Sequence, residues 1–160
     1  IVLIPEIPFD IYGVCEAIRQ REASGRHYSI VVVAEGARAK GGESMLVERR
    51  AAGTVDRLGG VGSRVAAAIA ERTGKETRSL VLGHLQRGGS PTTFDRLIAL
   101  RFGTAAVRAI AAGDFGTMVA YTPPTISTVP LADVIGRTKT VPLDSDTIQT
   151  ARDLGISFGD

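Results

Sequence analysis

Residues 76–91 read ETRSLVLGHLQRGGSP and place two arginines and a histidine, Arg78, His84 and Arg87, within ten residues of one another. Arginine presents a planar fork of donors that matches phosphate oxygens, and histidine adds a further donor, so this set suits a phosphate dianion. The segment runs from an apolar strand-like stretch through a turn to a helix start, where outward-facing backbone amides and the helix dipole favour an anion. A carboxylate, Glu35, closes the run YSIVVVAE and could accept hydrogen bonds from hydroxyl groups. Taken singly each residue also has a structural reading: His84 as a hydrogen-bonded turn residue, the arginines as solvated cations, Glu35 as a strand-end carboxylate facing water. Together, two arginines, one histidine and a helix start within ten residues point to anion binding.

Two nucleotide motifs are approached and not met. Gly83 and Gly88 have P-loop spacing, but Gly89 stands where the phosphate-binding lysine belongs. The GGVG of residues 59–62 precedes a helix but follows no strand, so it is not a dinucleotide fingerprint.

The elements that must hold these residues alternate strand and helix. Ile1–Ile4 reads as a buried strand. Asp10 is placed to cap a helix whose inner face carries Ile11, Val14, Cys15 and Ile18, ending near Gly25. Tyr28–Ala34, nearly all apolar and rich in β-branched residues, predicts a parallel strand covered on both faces. Residues 37–56 show no period and read as an irregular excursion. Leu58, Val61, Val65, Ala68 and Ile69 predict a helix ending near Gly74, and Arg78–Leu82 a further strand. A long helix is expected after Ser90 as cap and Pro91 as first residue, continuing to about Gly113 through Phe94, Leu97, Ile98, Phe102, Ala105, Ala106 and Ile110. Short strands at 118–121 and 126–129, a short helix at 131–135 and a last helix at about 145–154 complete an α/β pattern.

Composition narrows the class. The 160 residues, 44% hydrophobic and 22% charged, suffice for one ordinary core. A net charge of +2 from 19 basic and 17 acidic residues is too even for a nucleic-acid partner, which would show clustered basic residues with interleaved aromatics. The single cysteine, Cys15, forms neither an internal disulfide nor a zinc site and suits a reducing cytoplasm. No apolar run approaches the roughly 20 residues that span a bilayer, so no membrane partner is expected. Ile1 opens an apolar run without an initiating Met, as expected of a fragment of a longer protein.

The stretch ETRSLVLGHLQRGGSPTTFDRLIALRFG resembles the signature of the 6-phosphofructokinases of bacterial type, ATP- or pyrophosphate-dependent. The resemblance extends through IPEIPFDI, IVVVAEGA, VPLADVIGRTKTVPL and the terminal LGISFGD, and is weakest over residues 38–56. It implies a three-layer α/β/α fold and the C-terminal part of a two-domain chain. Residues 1–84 would form part of the sugar-phosphate-binding domain, 85–137 would return to the donor-binding domain, and 138–160 would pack back on the first.

The implied activity is transfer of a phosphoryl group to the 1-hydroxyl of fructose 6-phosphate, giving fructose 1,6-bisphosphate in glycolysis. By resemblance Glu35 contacts the sugar hydroxyls, His84 and Arg87 grip the 6-phosphate with Leu85 and Gln86 between them, and Arg78 reaches a neighbouring subunit's substrate. That sharing implies a homo-oligomer, dimer or tetramer. The catalytic residues, the donor loop and the ligands of Mg2+ are expected upstream, so the fragment alone should be inactive. A non-catalytic phosphosugar-binding or regulatory chain of the same fold is the alternative.

Overall fold

The computed structural model describes residues 1–41 and 60–160, which divide into two compact units, 1–81 with 140–160, and 82–139. The first unit is built around two parallel strands, β1 (Val2–Leu3) and β2 (Val32–Val33), paired Val2 to Val32 and Leu3 to Val33. Helix α1 (Ile11–Ala23) connects them, as a parallel pair requires. Its start is set by Asp10, whose carboxylate accepts from the Tyr12 amide at 2.9 Å. The predicted inner face holds, since Val14, Cys15 and Ile18 are buried. Helix α2 (Val61–Thr73) buries Val61, Val65 and Ile69 and ends on Gly74, which takes the left-handed conformation at φ +67° that closes helices without steric penalty.

Side chains of β1 alternate between two clusters, which gives this unit its layers. Leu3 points into a core with Phe9, Val14, Cys15, Ile18, Val61, Val65 and Ile69, the inner faces of α1 and α2. Val2 and Ile4 pack instead with Ile7, Ile148 and Phe158, so helix α4 (Asp146–Asp153) covers the opposite face. The terminal residues run beside β1: the Val2 amide donates to Ser157 O at 2.9 Å and the Asp10 amide to Gly159 O at 2.6 Å. Gly159 has φ +75°, and a Cβ there would lie 2.8 Å from Val14 Cγ2, so only glycine lets the backbone lie this close to the core.

The second unit comprises a 3-10 turn (Gly83–Arg87), helix α3 (Thr93–Ala111), the antiparallel hairpin of β3 (Thr117–Thr122) and β4 (Thr125–Pro130), and a 3-10 turn at Leu131–Asp133. Helix α3 packs on the hairpin, where Phe94 meets Tyr121 with ring centroids 6.2 Å apart and Arg101 lies over the Tyr121 ring while donating to Pro124 O at 2.7 Å.

Several expectations are corrected. The predicted strand 28–34 pairs only at Val32–Val33, and Tyr28, Ile30 and Val32 are exposed, so it is not covered on both faces. Residues 78–82 form no strand, and Leu80 and Val81 are each 78% exposed. In both cases β-branched composition supplies propensity, but a ladder also needs a neighbouring edge: residues 30–34 have only the short β1 segment on one side, and among the described residues 78–82 have none. The cap of α3 is Thr92, not Ser90, because Thr92 and Asp95 form a reciprocal capping box that satisfies groups Pro91 cannot. The short helix expected at 131–135 is the 3-10 turn at Leu131–Asp133. Leu58 and residues 42–56 of the expected irregular segment lie outside the described residues.

Candidate functional site

His84 and Arg87 sit on the 3-10 turn Gly83–Arg87, with Leu85 and Gln86 between them. The turn is formed by its own backbone: the Leu85 amide donates to Leu82 O at 2.9 Å and the Gly88 amide to Leu85 O at 3.2 Å. Three residues per turn bring positions i and i+3 onto one side, so His84 and Arg87 share a face. All four residues are exposed, Leu85 by 71%. The arrangement offers an imidazole and a guanidinium to one ligand oxygen cluster from adjacent steps of a single turn.

The helix start beyond the turn is less open to an anion than its sequence suggests. Asp95 Oδ2 accepts from the Thr92 amide at 2.8 Å and from Thr92 Oγ1 at 2.7 Å, while the Asp95 amide donates back to Thr92 Oγ1 at 3.2 Å. One first-turn amide is thereby taken, and a carboxylate stands where the helix dipole would attract a phosphate. The Thr92 hydroxyl and amide donating to Asp95 hold its carboxyl below the usual carboxylate range. The His84 and Arg87 side chains of the 3-10 turn are thus the stronger anion-binding feature of this unit.

Arg78 and Glu35 belong to the other unit. Arg78 is 87% exposed at its side chain and engages Glu76 Oε1 through Nε at 2.9 Å and Nη2 at 2.6 Å. A phosphate can take the remaining guanidinium donors of Arg78 or compete with Glu76 for the occupied ones. An exposed pair of this kind is worth about 1 kcal/mol or less, so a phosphate dianion can compete. Glu35 lies in the turn that follows β2 and is exposed.

The structure adds a residue that the sequence pattern did not single out. Glu6 follows β1 as Glu35 follows β2, and because the strands are parallel both carboxylates lie at the same, C-terminal edge of the sheet, where open α/β sheets bind ligands. The two turns touch, since a Cβ on Gly36 would lie 3.1 Å from Pro5 Cγ. Glu6 Oε1 accepts from the Val141 amide at 3.0 Å, whereas Oε2 is buried with no hydrogen-bonding partner among the described residues. A buried unpaired carboxylate oxygen is unusual and marks a place where a donor belongs. The signal was present in the parallel between IPE and VAE, each a glutamate just past an apolar strand.

No group of three or more His, Cys, Asp or Glu among the described residues is placed to hold a metal ion. No helix among them is long and apolar enough to cross a membrane.

Comparison with known proteins is consistent across sequence and structure. The family described as Phosphofructokinase matches residues 1–110. ATP-dependent 6-phosphofructokinase of Chloroflexus aggregans is 51% identical over all 160 residues, which cover 43% of that relative. Pyrophosphate–fructose 6-phosphate 1-phosphotransferase of Amycolatopsis methanolica is also 51% identical, over 144 residues covering 89% of this chain and 42% of the relative. The crystal structure of pyrophosphate-dependent phosphofructokinase from Nitrosospira multiformis superposes with a TM-score of 0.64 at 24% identity, over 89% of this chain and 34% of that one, which supports the α/β fold. The chain thus spans less than half the length of the curated relatives it matches, and it belongs to the phosphofructokinase family.

Proposed function

We propose that this chain is the fructose 6-phosphate-binding part of a 6-phosphofructokinase that transfers a phosphoryl group from ATP or pyrophosphate to the sugar 1-hydroxyl. The observation that carries the reading is the exposed 3-10 turn with His84 and Arg87 on one face, in a chain about half identical to relatives named for both donors. His84 and Arg87 bind the 6-phosphate, with Leu85 and Gln86 setting their spacing. Arg78 completes the pocket of a neighbouring subunit in a homo-oligomer.

The sugar hydroxyls meet the carboxylates at the sheet edge. Glu35 is one and is exposed to receive them; Glu6 stands at the same edge, with its Oε2 covered by the surrounding protein. Mg2+ as cofactor, a role in glycolysis and a cytoplasmic location belong to the same proposal. In this reading residues 1–84 belong to the sugar-phosphate-binding domain, 138–160 pack back on it, and 85–137 return to the donor-binding domain, with Arg87 reaching the sugar phosphate from its start.

Titration of the full-length protein with fructose 6-phosphate tests it. Arg87→Ala is expected to weaken binding by about 1.5 to 3 kcal/mol, or roughly ten- to a hundredfold. Glu35→Gln should weaken binding by about 1 to 3 kcal/mol with the fold retained. Unchanged affinity in Arg87→Ala would show that the turn does not hold the phosphate, and binding without turnover in the intact oligomer would point to a regulatory chain. For Arg78, mixing Arg78→Ala subunits with Arg87→Ala subunits should restore tight sites in the hybrids. Hybrids without any tight site would place Arg78 outside its neighbour's pocket.

A further inference from the structure

We propose that Asp95 is a positioning residue for the phosphate-gripping turn, acting through Thr92 on the placement of Arg87 without touching the ligand; the inference rests on the phosphate reading of that turn. The turn Gly83–Arg87 is exposed along its length and held by its own backbone bonds, so packing does not orient it. The following residues give little stiffness: Gly88 is extended and Gly89 has φ +102°. The next fixed point along the chain is the start of the 19-residue helix α3.

At that point one carboxylate oxygen, Asp95 Oδ2, holds both the amide and the hydroxyl of Thr92, at 2.8 and 2.7 Å, and the Asp95 amide returns a bond to the same hydroxyl. Three hydrogen bonds between two residues set the direction in which the chain leaves the helix towards the turn. A guanidinium several residues along swings widely when that direction loosens, and placement errors of about 1 Å are enough to weaken a positioned contact strongly. The same carboxylate discourages a phosphate from settling on the α3 amides and so leaves the anion to His84 and Arg87.

The experiment is a kinetic cycle in the full-length enzyme with Asp95→Ala, Asp95→Asn, Arg87→Ala and the Asp95→Ala/Arg87→Ala double variant. Asp95→Ala should raise KM for fructose 6-phosphate about three- to tenfold and leave KM for the donor unchanged. Asp95→Asn keeps an acceptor oxygen for Thr92 and should recover most of the loss. In the Arg87→Ala background Asp95→Ala should add little, because residues acting through one another are not additive. An Asp95→Ala enzyme with lowered Tm and unaltered KM, or one whose defect multiplies in full with that of Arg87→Ala, would overturn the inference. If Asp95→Ala does not fold, the same cycle with Thr92→Val reads the same coupling, with the same two outcomes. If Arg87→Ala itself leaves KM unchanged, the phosphate reading fails and the inference with it. If Arg87→Ala raises KM and Asp95→Ala does not, the inference fails alone.

Discussion

The two units of this chain are built from similarly patterned sequence and end in different states. In residues 1–81 and 140–160, a strand pair lies between helices on both faces, and Leu3, Phe9, Val14 and Cys15 are at most 1% exposed. In residues 82–139, Ala105 is the one buried residue of helix α3, while Phe94, Leu97, Leu100, Val107 and Ile110 are each more than half exposed. An amphipathic helix and one hairpin can bury a single seam between them. A core closed on itself needs a further layer, which the first unit has and the second, among the described residues, does not. The candidate anion turn lies in the second unit, at its start, where hydrogen bonds and not packing determine the local geometry.

The largest difference between the units is expected from truncating one leucine in each. Leu3→Ala should destabilise the first unit by about 2 to 5 kcal/mol through lost burial and a residual cavity. Leu100→Ala in α3, at a site 69% exposed, should change stability by about 0.5 kcal/mol or less in this chain. Urea unfolding of both variants decides it, and equal losses would mean that the second unit is packed as tightly as the first.

Two glycines probe the same contrast at smaller scale. Gly159→Ala forces a Cβ to within 2.8 Å of Val14 Cγ2 at a positive φ, and should cost about 1 to 3 kcal/mol. Gly103→Ala, within α3 where a Cβ would meet nothing within 4 Å, should raise stability by up to about 1 kcal/mol from helix propensity alone. Opposite signs in thermal unfolding support the difference in packing between the units. A stabilising Gly159→Ala would contradict it.

The smallest effect expected is electrostatic. Arg152 donates to both carboxylate oxygens of Asp160, at 3.3 and 2.5 Å, and lies over the Phe158 ring. The Arg152 hydrogen bonds hold the Asp160 carboxyl below its usual range. A carboxyl depressed in the folded state contributes its stability fully above the unfolded-state value, about 3.9, and loses it as pH falls through the lower folded value. Asp160→Asn should therefore lower Tm near neutral pH, and its difference from the unsubstituted protein should shrink as the pH falls below about 3.9. A pH-independent difference would assign the loss to packing on Phe158 instead of charge.

Features that depend on neighbours in sequence are legible in the amino-acid order alone. The Asp10 cap of α1, the buried face at Val14, Cys15 and Ile18, the Gly74 stop of α2 and the two strands of the hairpin all follow from local hydrogen bonding and helical or strand period. The turn holding His84 and Arg87 is legible for the same reason, since four consecutive residues cannot be far apart. The family signature carries the rest of the functional reading.

Tertiary structure decided what depends on partners distant in sequence. YSIVVVA and RSLVL both have strand composition, yet pairing requires an adjacent edge, and among the described residues of these two runs only Val32–Val33 found one. Ser90 and Thr92 can both cap a helix, and the competition was settled by which hydroxyl could exchange bonds with Asp95. Glu6 and Glu35 share a sheet edge because β1 and β2 run parallel, and Glu6 is held there by the amide of Val141, 135 residues away. Residue types and local periods determine which groups are available for binding; burial and strand pairing depend on long-range contacts, and these decide which of the groups are left without a partner.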